Sequence, residues 1–271
     1  MSRRQRKARA EEHYEFITHL ESHHQEIVDR SIKNTKIFGI QVGVPSPVYE
    51  QRYKETKIEL QSCTTINAIF NSGTWGDKMT VLNFASAKHP GGGWLNGSMA
   101  QEESLALATT LYLPLSKTAK PMYDRNEMNP KLGFYNDLIV YSPDVLVFRD
   151  DDGEFIEKAF PIAVISVPAV NACNVRDNVK KKRLDMNKMT ARIKTVMESR
   201  CTAILKVAAK YDTEILILGA FGCGVFKNNP NDVAWMFKQL LSKTFAGVFK
   251  KVVFAIPQGD KNMESFEQII H

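Results

Sequence analysis

The stretch TEILILGAFG, residues 213–222, constrains the fold more than any other, because its apolar run ILIL is unbroken and stops at Gly219. A strand solvated on one side alternates apolar and polar residues, so a continuous run fits a strand covered on both faces. KMTVLNFA (78–85) and KKVVFAI (250–256) share that character, and TKIFGIQVG (35–43), TKIELQS (56–62), LIVYSPDVLVFRD (138–150) and FPIAVISVPA (160–169) also read as strands. Between them lie segments of helical period: TTINAIFNSG (64–73), SMAQEESLALATTLYLPL (98–115), Met189 to Tyr211, and NDVAWMFKQLLSKTF (231–245). This alternation predicts an α/β sandwich with a largely parallel sheet. In such sheets ligands bind at the carboxyl ends of the strands.

Ahead of this pattern, residues 6–35 carry apolar side chains at helical spacing (Tyr14, Ile17, Leu20, Ile27 and Ile32), which predicts a helical extension over about 1–35. With no repeat and no Gly/Ser/Pro linker, the 271 residues are expected to form a single catalytic domain that includes this extension. The basic start is followed by Glu11, Glu12 and Glu15 rather than an apolar core, unlike a secretory or organelle-import signal. No apolar run reaches the ~18 residues of a membrane span. Cys63, Cys173, Cys201 and Cys223 are scattered without a CxxC pair, which favours free thiols in a reducing compartment. The expected location is therefore cytoplasmic, with the nucleus possible in a eukaryotic host. His19 and His23 share helical i, i+4 spacing but lack companion ligands, so no metal site is expected. The net charge of +6 favours a polyanionic partner. Its densest run, KKKR at 180–183, reads first as a solvated surface turn, with an import or phosphate-contact patch as the alternative.

Two loops carry the chemistry. In HPGGGWLNGSMAQEE (89–103) a glycine triplet follows a strand and precedes a helix. Glycines there can turn backbone N–H groups toward an anion. The SMAQ spacing predicts that Ser98 caps the helix and Gln101 reaches back to it. Gln101, Glu102 and Glu103 then fall in the first turn, where acidic side chains are also favoured simply by the helix dipole. The second loop, ILGAFGCGVFKNNPNDVA (217–234), again runs from strand through Gly219, Gly222 and Gly224 to helix, without Walker or Rossmann spacing. Phe221 reads mainly as core, and Phe226 equally as core or as a face for a sugar or base. Two such loops suit the two phosphates of a diphosphate, with the paired carboxylates over an attached sugar. Glycoside cleavage needs an acid for the leaving oxygen and a base for water. Phosphoryl transfer would call for metal ligands or an arginine finger, and no such set stands out.

At these residues the chain resembles the poly(ADP-ribose) glycohydrolases of the shorter bacterial and fungal branch. GGGWLNGSMAQEE matches their GGG-x(6–8)-QEE signature, and LGAFGCGVFKNNPNDVA supports it independently. The likeness extends from the N-terminal helix to VVFAI, although LALATT (105–110) follows QEES where further basic or serine residues are usual. The resemblance implies a three-layer α/β/α, macrodomain-like mixed sheet and an enzyme that hydrolyses ribose–ribose O-glycosidic bonds in poly(ADP-ribose), mainly from chain ends, releasing ADP-ribose. It implies Glu103 as the acid–base residue, Glu102 on ribose hydroxyls with Gln101 in support, and Asn83 at the distal ribose. Gly91, Gly92, Gly93 and Asn96 of the first loop, with Gly222, Cys223, Gly224, Val225 and Phe226 of the second, would surround the diphosphate and ribose. Its partners would be poly(ADP-ribose) and ADP-ribosylated proteins, with no cofactor and neither nucleic acid nor membrane required. Two other readings stay open: a non-catalytic ADP-ribose reader, and a hydrolase of single ADP-ribose modifications.

Overall fold

The computed structural model of the chain describes residues 2–41, 49–73 and 76–270. In chain order its elements are α1 (Arg3–Thr18), α2 (Ser22–Asn34), β1 (Lys36–Gly39), β2 (Lys57–Gln61), α3 (Thr65–Ser72), β3 (Met79–Phe84) and α4 (Gln101–Ala108). There follow α5 (Tyr112–Thr118), α6 (Lys120–Met128), β4 (Leu138–Arg149), β5 (Phe155–Val167), α7 (Ala172–Lys182) and α8 (Met186–Lys210). The chain ends through β6 (Ile215–Leu218), α9 (Pro230–Ser242), β7 (Lys251–Ala255) and α10 (Met263–Ile270). Among the described residues the strands form one sheet in the order β1-β4-β5-β3-β6-β7-β2. Strands β5, β3, β6, β7 and β2 run parallel. Antiparallel pairing of β1 with β4 and of β4 with β5 makes the sheet mixed.

The apolar runs have the consequence expected of them. In β6, Leu216 and Leu218 face a core shared with α7, α8, α9 and α10, while Ile215 and Ile217 face one shared with α3, α4, α5 and α6. Because successive strand residues point to opposite faces, a strand between two helical layers must be apolar throughout. The result is a three-layer α/β/α, macrodomain-like fold.

Four local expectations change. The segment 98–115 is two helices, because Thr109 and Thr110 leave the helical path to bond with β4: Thr110 N–H donates to the Leu146 carbonyl, and the Thr110 hydroxyl accepts from Leu146 N–H. Such local side-chain bonds compete with helix continuation. The basic run 180–183 is no isolated turn; Lys180, Lys181 and Lys182 form the last turn of α7, where cations favour the exposed carbonyls, and Arg183 closes it in a left-handed conformation. The long helix starts at Met186, and α6, α7 and α10 have no counterpart in the periodicity reading. Of the strand expected over 35–43, only 36–39 is strand, and residues 42–43 lie outside the described residues.

The N-terminal extension is two helices packed on the body of the fold. Ala10, Ile17 and Val28 share a cluster with Trp94, Ala106, Leu113, Leu146 and Phe148. Buried His13 places Nε2 3.0 Å from the Thr109 carbonyl oxygen, and Arg149 reaches both His13 and Glu12. Burial depresses the His13 pKa to about 4. His23 does not pair with His19; it lies with His24 and Glu21 on the exposed first turn of α2.

Candidate active site

Strands β2, β3, β6 and β7 all end at one edge of the sheet, and their following segments enclose a cleft of about 590 Å³. After β2 come Thr64, which caps α3, and Thr65 and Ile66, which open it, with Phe84, Ala85 and Ser86 from the end of β3. Ala220 and the Gly222–Phe226 loop follow β6, and Ile256 to Asn262 follow β7. Helix α4 closes the cleft with Gln101, Glu102 and Glu103. This is the carboxyl-end position expected for a ligand in such a sheet.

The glycine triplet serves the carboxylates. Gly93 N–H donates to Glu103 Oε1 at 2.9 Å, Gly91 N–H bonds to the Glu102 carboxylate, and Gly92 N–H is taken by the His89 carbonyl. Gly92 sits at φ +63°, and a Cβ there would fall 2.5 Å from Glu103 Oε1 and 3.1 Å from Glu102 Oε2. The backbone must therefore lie bare against both acids, which is why a side chain is excluded. The amides of this loop orient carboxylates instead of being left to cradle an anion.

Glu102 lies deepest, 3% exposed. Its carboxyl accepts from Ser86 N–H at 2.6 Å and from Asn83 Nδ2 at 3.2 Å. Burial drives its pKa from 4.5 up to about 8, against those hydrogen bonds and with help from the neighbouring Glu103 charge. The carboxyl is therefore largely neutral at pH 7. Asn83 is wholly buried beneath it and outside the cleft lining; its contacts are Glu102 and the Ser166 hydroxyl, and its Oδ1 has no partner.

Gln101 does not reach back to Ser98, and the cap residue of α4 is Ala100, with no side-chain cap bond. Gln101 Nε2 donates to the Leu82 carbonyl at 2.7 Å while its Oε1 accepts from Phe84 N–H at 2.8 Å. It thus continues the hydrogen bonding of β3 beyond the sheet and locks the two glutamates to the strand end. That backbone was free because β3 parts from β6 after the Val81–Ile217 pair while it stays paired with β5 as far as Phe84, so the strand-end partner won over the local cap.

The second glycine loop keeps its donors. Among the described residues no hydrogen bond engages the backbone N–H of Gly222, Gly224, Val225 or Phe226. Gly222 stands at φ +73°, where an added Cβ would fall 2.4 Å from that of Ala169. Asn228 pins the loop by donating to the Val170 and Gly222 carbonyls. Cys223 points away from the cleft, and burial pushes its thiol up to about 12. Phe221 is core. Phe226 does both things expected of it, packing against the core edge near Tyr135 and lining the cleft. Exposed Asn96 lies outside the cleft lining, and its carbonyl accepts from Arg3 Nε.

Sequence reasoning missed Thr64–Ile66, Asp260 and Asn262. One signal was available: both segments follow strands parallel to β3, so the topology sends them to the same edge.

Comparison with known proteins gives a consistent result. The family model for the microbial-type PARG catalytic domain matches residues 5–150. Among solved structures, the poly(ADP-ribose) glycohydrolase of Thermomonospora curvata is similar over 98% of this chain and 99% of that one, with 31% identity and a TM-score of 0.82. The same bacterium's enzyme bound to the inhibitor ADP-HPD matches over the same shares, with 30% identity and a TM-score of 0.80. The Deinococcus radiodurans enzyme in complex with ADP-ribose covers 90% of this chain and 97% of its own, with 30% identity and a TM-score of 0.78. No curated protein sequence matches the chain.

Proposed function

Since the chain belongs to the microbial-type poly(ADP-ribose) glycohydrolase family, we propose that its cleft holds the terminal ADP-ribose of poly(ADP-ribose) and that Glu103 cleaves the ribose–ribose bond behind it. Hydrolysis of poly(ADP-ribose) is the activity; the residue roles are what the geometry supports. The observation that carries them is the Glu103 carboxyl, held by Gly93 N–H on the wall of a cleft whose opposite side offers free backbone donors.

The diphosphate lies on the N–H groups of Gly222, Gly224, Val225 and Phe226, since backbone amides in such a turn form an anion-binding concavity. This places the distal ribose against α4, with the Phe226 ring beside it. Protonated Glu103 gives its proton to the leaving O2′ of the penultimate unit as the C1″–O2′ bond breaks. Its carboxylate then takes a proton from the water whose oxygen bonds C1″, and the acid is restored. Glu102, whose pKa burial raises, faces the ribose hydroxyls. Gln101 and Asn83 act through the glutamates: the first fixes α4 to β3, and the second fixes Glu102. Gly91, Gly92 and Gly93 act in the same indirect way. A cleft of about 590 Å³ suits one ADP-ribose unit, which favours cleavage from chain ends.

Its targets would be ADP-ribosylated proteins and their polymers. All four cysteines are free, which supports a reducing cytoplasmic setting. Among the described residues no helix is long and apolar enough to cross a membrane.

The test is Glu103→Gln. ADP-ribose binding measured by calorimetry should persist while ADP-ribose release from polymer falls by ~10²–10⁴-fold, the usual weight of an acid–base group. Release within about tenfold of wild type would remove Glu103 from the chemistry. A wild-type protein that binds ADP-ribose and releases none would instead be a reader.

A further inference from the structure

Glu103 borders a second cavity. Next to the ADP-ribose cleft, a pocket of about 140 Å³ is lined by Arg6, Arg9 and Ala10 of α1, by Leu107 of α4, and by Asp150–Asp152 of the β4–β5 turn. Ile66, Met99, Glu103 and Ser104 line both spaces, so the two adjoin at the catalytic residue. Resting on the reading of Glu103 as the acid, we propose that this pocket receives the adenosine-side ribose of the penultimate unit, the sugar whose O2′ departs.

The chemistry requires a neighbour there. A general acid must come within hydrogen-bond reach of the oxygen it protonates. The leaving sugar therefore lies against Glu103, on the side not filled by the terminal unit. Size agrees, because a protein cavity of ~150 Å³ accommodates one benzene-sized ring and a pentose ring is comparable. Polarity agrees too. Asp150, Asp151 and Asp152 offer carboxylates that accept from sugar hydroxyls, and Arg6, Arg9 and Arg149 of the same lining are cations suited to the diphosphate that this sugar carries. Asp151 is itself held in place, accepting from the Thr64 hydroxyl at 2.7 Å and from Asn67 Nδ2 at 3.2 Å.

The pocket is a built feature. Arg3 Nε and Arg6 Nε donate to the Asn96 and Gly97 carbonyls, which seats α1 on the turn leading to Met99 and Glu103. Gly97 permits that approach, since a Cβ there would fall 2.5 Å from the Arg3 carbonyl oxygen. Arg9 spans to the far wall, donating to the Asp152 carbonyl and pairing with Glu154 at 3.2 Å. The N-terminal helix thus forms a wall of the leaving-group subsite as well as covering a core.

The experiment compares two substrates. One is an ADP-ribose dimer with a single ribose–ribose bond; the other is ADP-ribosyl fluoride, whose leaving group is one atom and needs no subsite. Leu107→Trp fills the pocket from α4, and Asp152→Ala removes an exposed carboxylate from the β4–β5 turn. Both variants should lose roughly tenfold or more in kcat/KM on the dimer, the scale of one charge-assisted hydrogen bond. Fluoride hydrolysis should stay within about twofold, since the terminal-unit site is untouched. If Leu107→Trp fails to fold, Asp152→Ala carries the comparison. A parallel fall on both substrates, or no fall on the dimer, overturns the assignment. Wild-type protein that releases fluoride but leaves the dimer intact would defeat the glycohydrolase reading first and this subsite with it.

Discussion

Replacing Glu102 by glutamine removes a buried acid while keeping its shape, and the structure fixes what should follow. The carboxyl is neutral in the fold until about pH 8, whereas in the unfolded chain it ionises near 4.5. Below 4.5 both states are protonated and the group makes no difference. From 4.5 to 8 only the unfolded chain releases its proton, so wild-type stability declines relative to the variant by ~1.4 kcal/mol per pH unit. Above 8 the deficit levels off at about 5 kcal/mol. Glutamine also finds partners: its oxygen can accept from Ser86 N–H, and its amide can donate to Asn83 once that side chain turns its unpartnered Oδ1, in place of Nδ2, toward position 102. The assay is urea unfolding of both proteins from pH 4 to 9. Coincident midpoints at pH 4 that separate steadily up to pH 8, the variant being the more stable, would bear the reasoning out. A gap independent of pH, or a variant less stable above pH 8, would show that Glu102 is ionised in the folded state and refute the burial argument. Activity makes a second readout: if Glu102 serves as a neutral neighbour of Glu103, the glutamine variant should retain most of its turnover at pH 7.

Four further outcomes follow from particular residues. Gly92→Ala forces a left-handed residue worth ~1–2 kcal/mol of strain and pushes its Cβ into Glu103, so turnover should fall by roughly 100-fold through misplacement of the acid. Gly224→Ala, with no atom within 4 Å of the new Cβ, should leave thermal stability within about 0.5 kcal/mol of wild type. Phe226→Ala should weaken ADP-ribose affinity roughly tenfold by calorimetry, the scale of a lost aromatic face. His13, held neutral with its pKa lowered from 6.5 to about 4, opposes protonation in the fold. Its contribution is present above 6.5 and is lost as pH falls through 4, by about 3 kcal/mol, so His13→Gln should flatten that acid limb in urea titrations.

Much of this was legible along the chain, and the physical reason is locality. An apolar run such as ILIL must be covered on both faces wherever it lies, so the α/β class follows from composition along each segment. The QEE triplet and both glycine loops are likewise contiguous, and their place after strands identifies the sheet edge at which they meet. What contiguity cannot supply is competition among distant partners. Whether Gln101 would cap its own helix or bond β3, and whether the triplet's amides would face a phosphate or the carboxylates, depended on which group lay nearer in space. The same holds for Thr109 and Thr110, which break a helical period because β4 offers them hydrogen bonds. Glu102's neutrality also arises from tertiary structure: a first-turn glutamate is acidic by sequence, and only the layers packed over it remove the water that would keep it charged. Residue types and their order determined the class of fold and the chemistry at hand, and three-dimensional packing decided which donor each acceptor received.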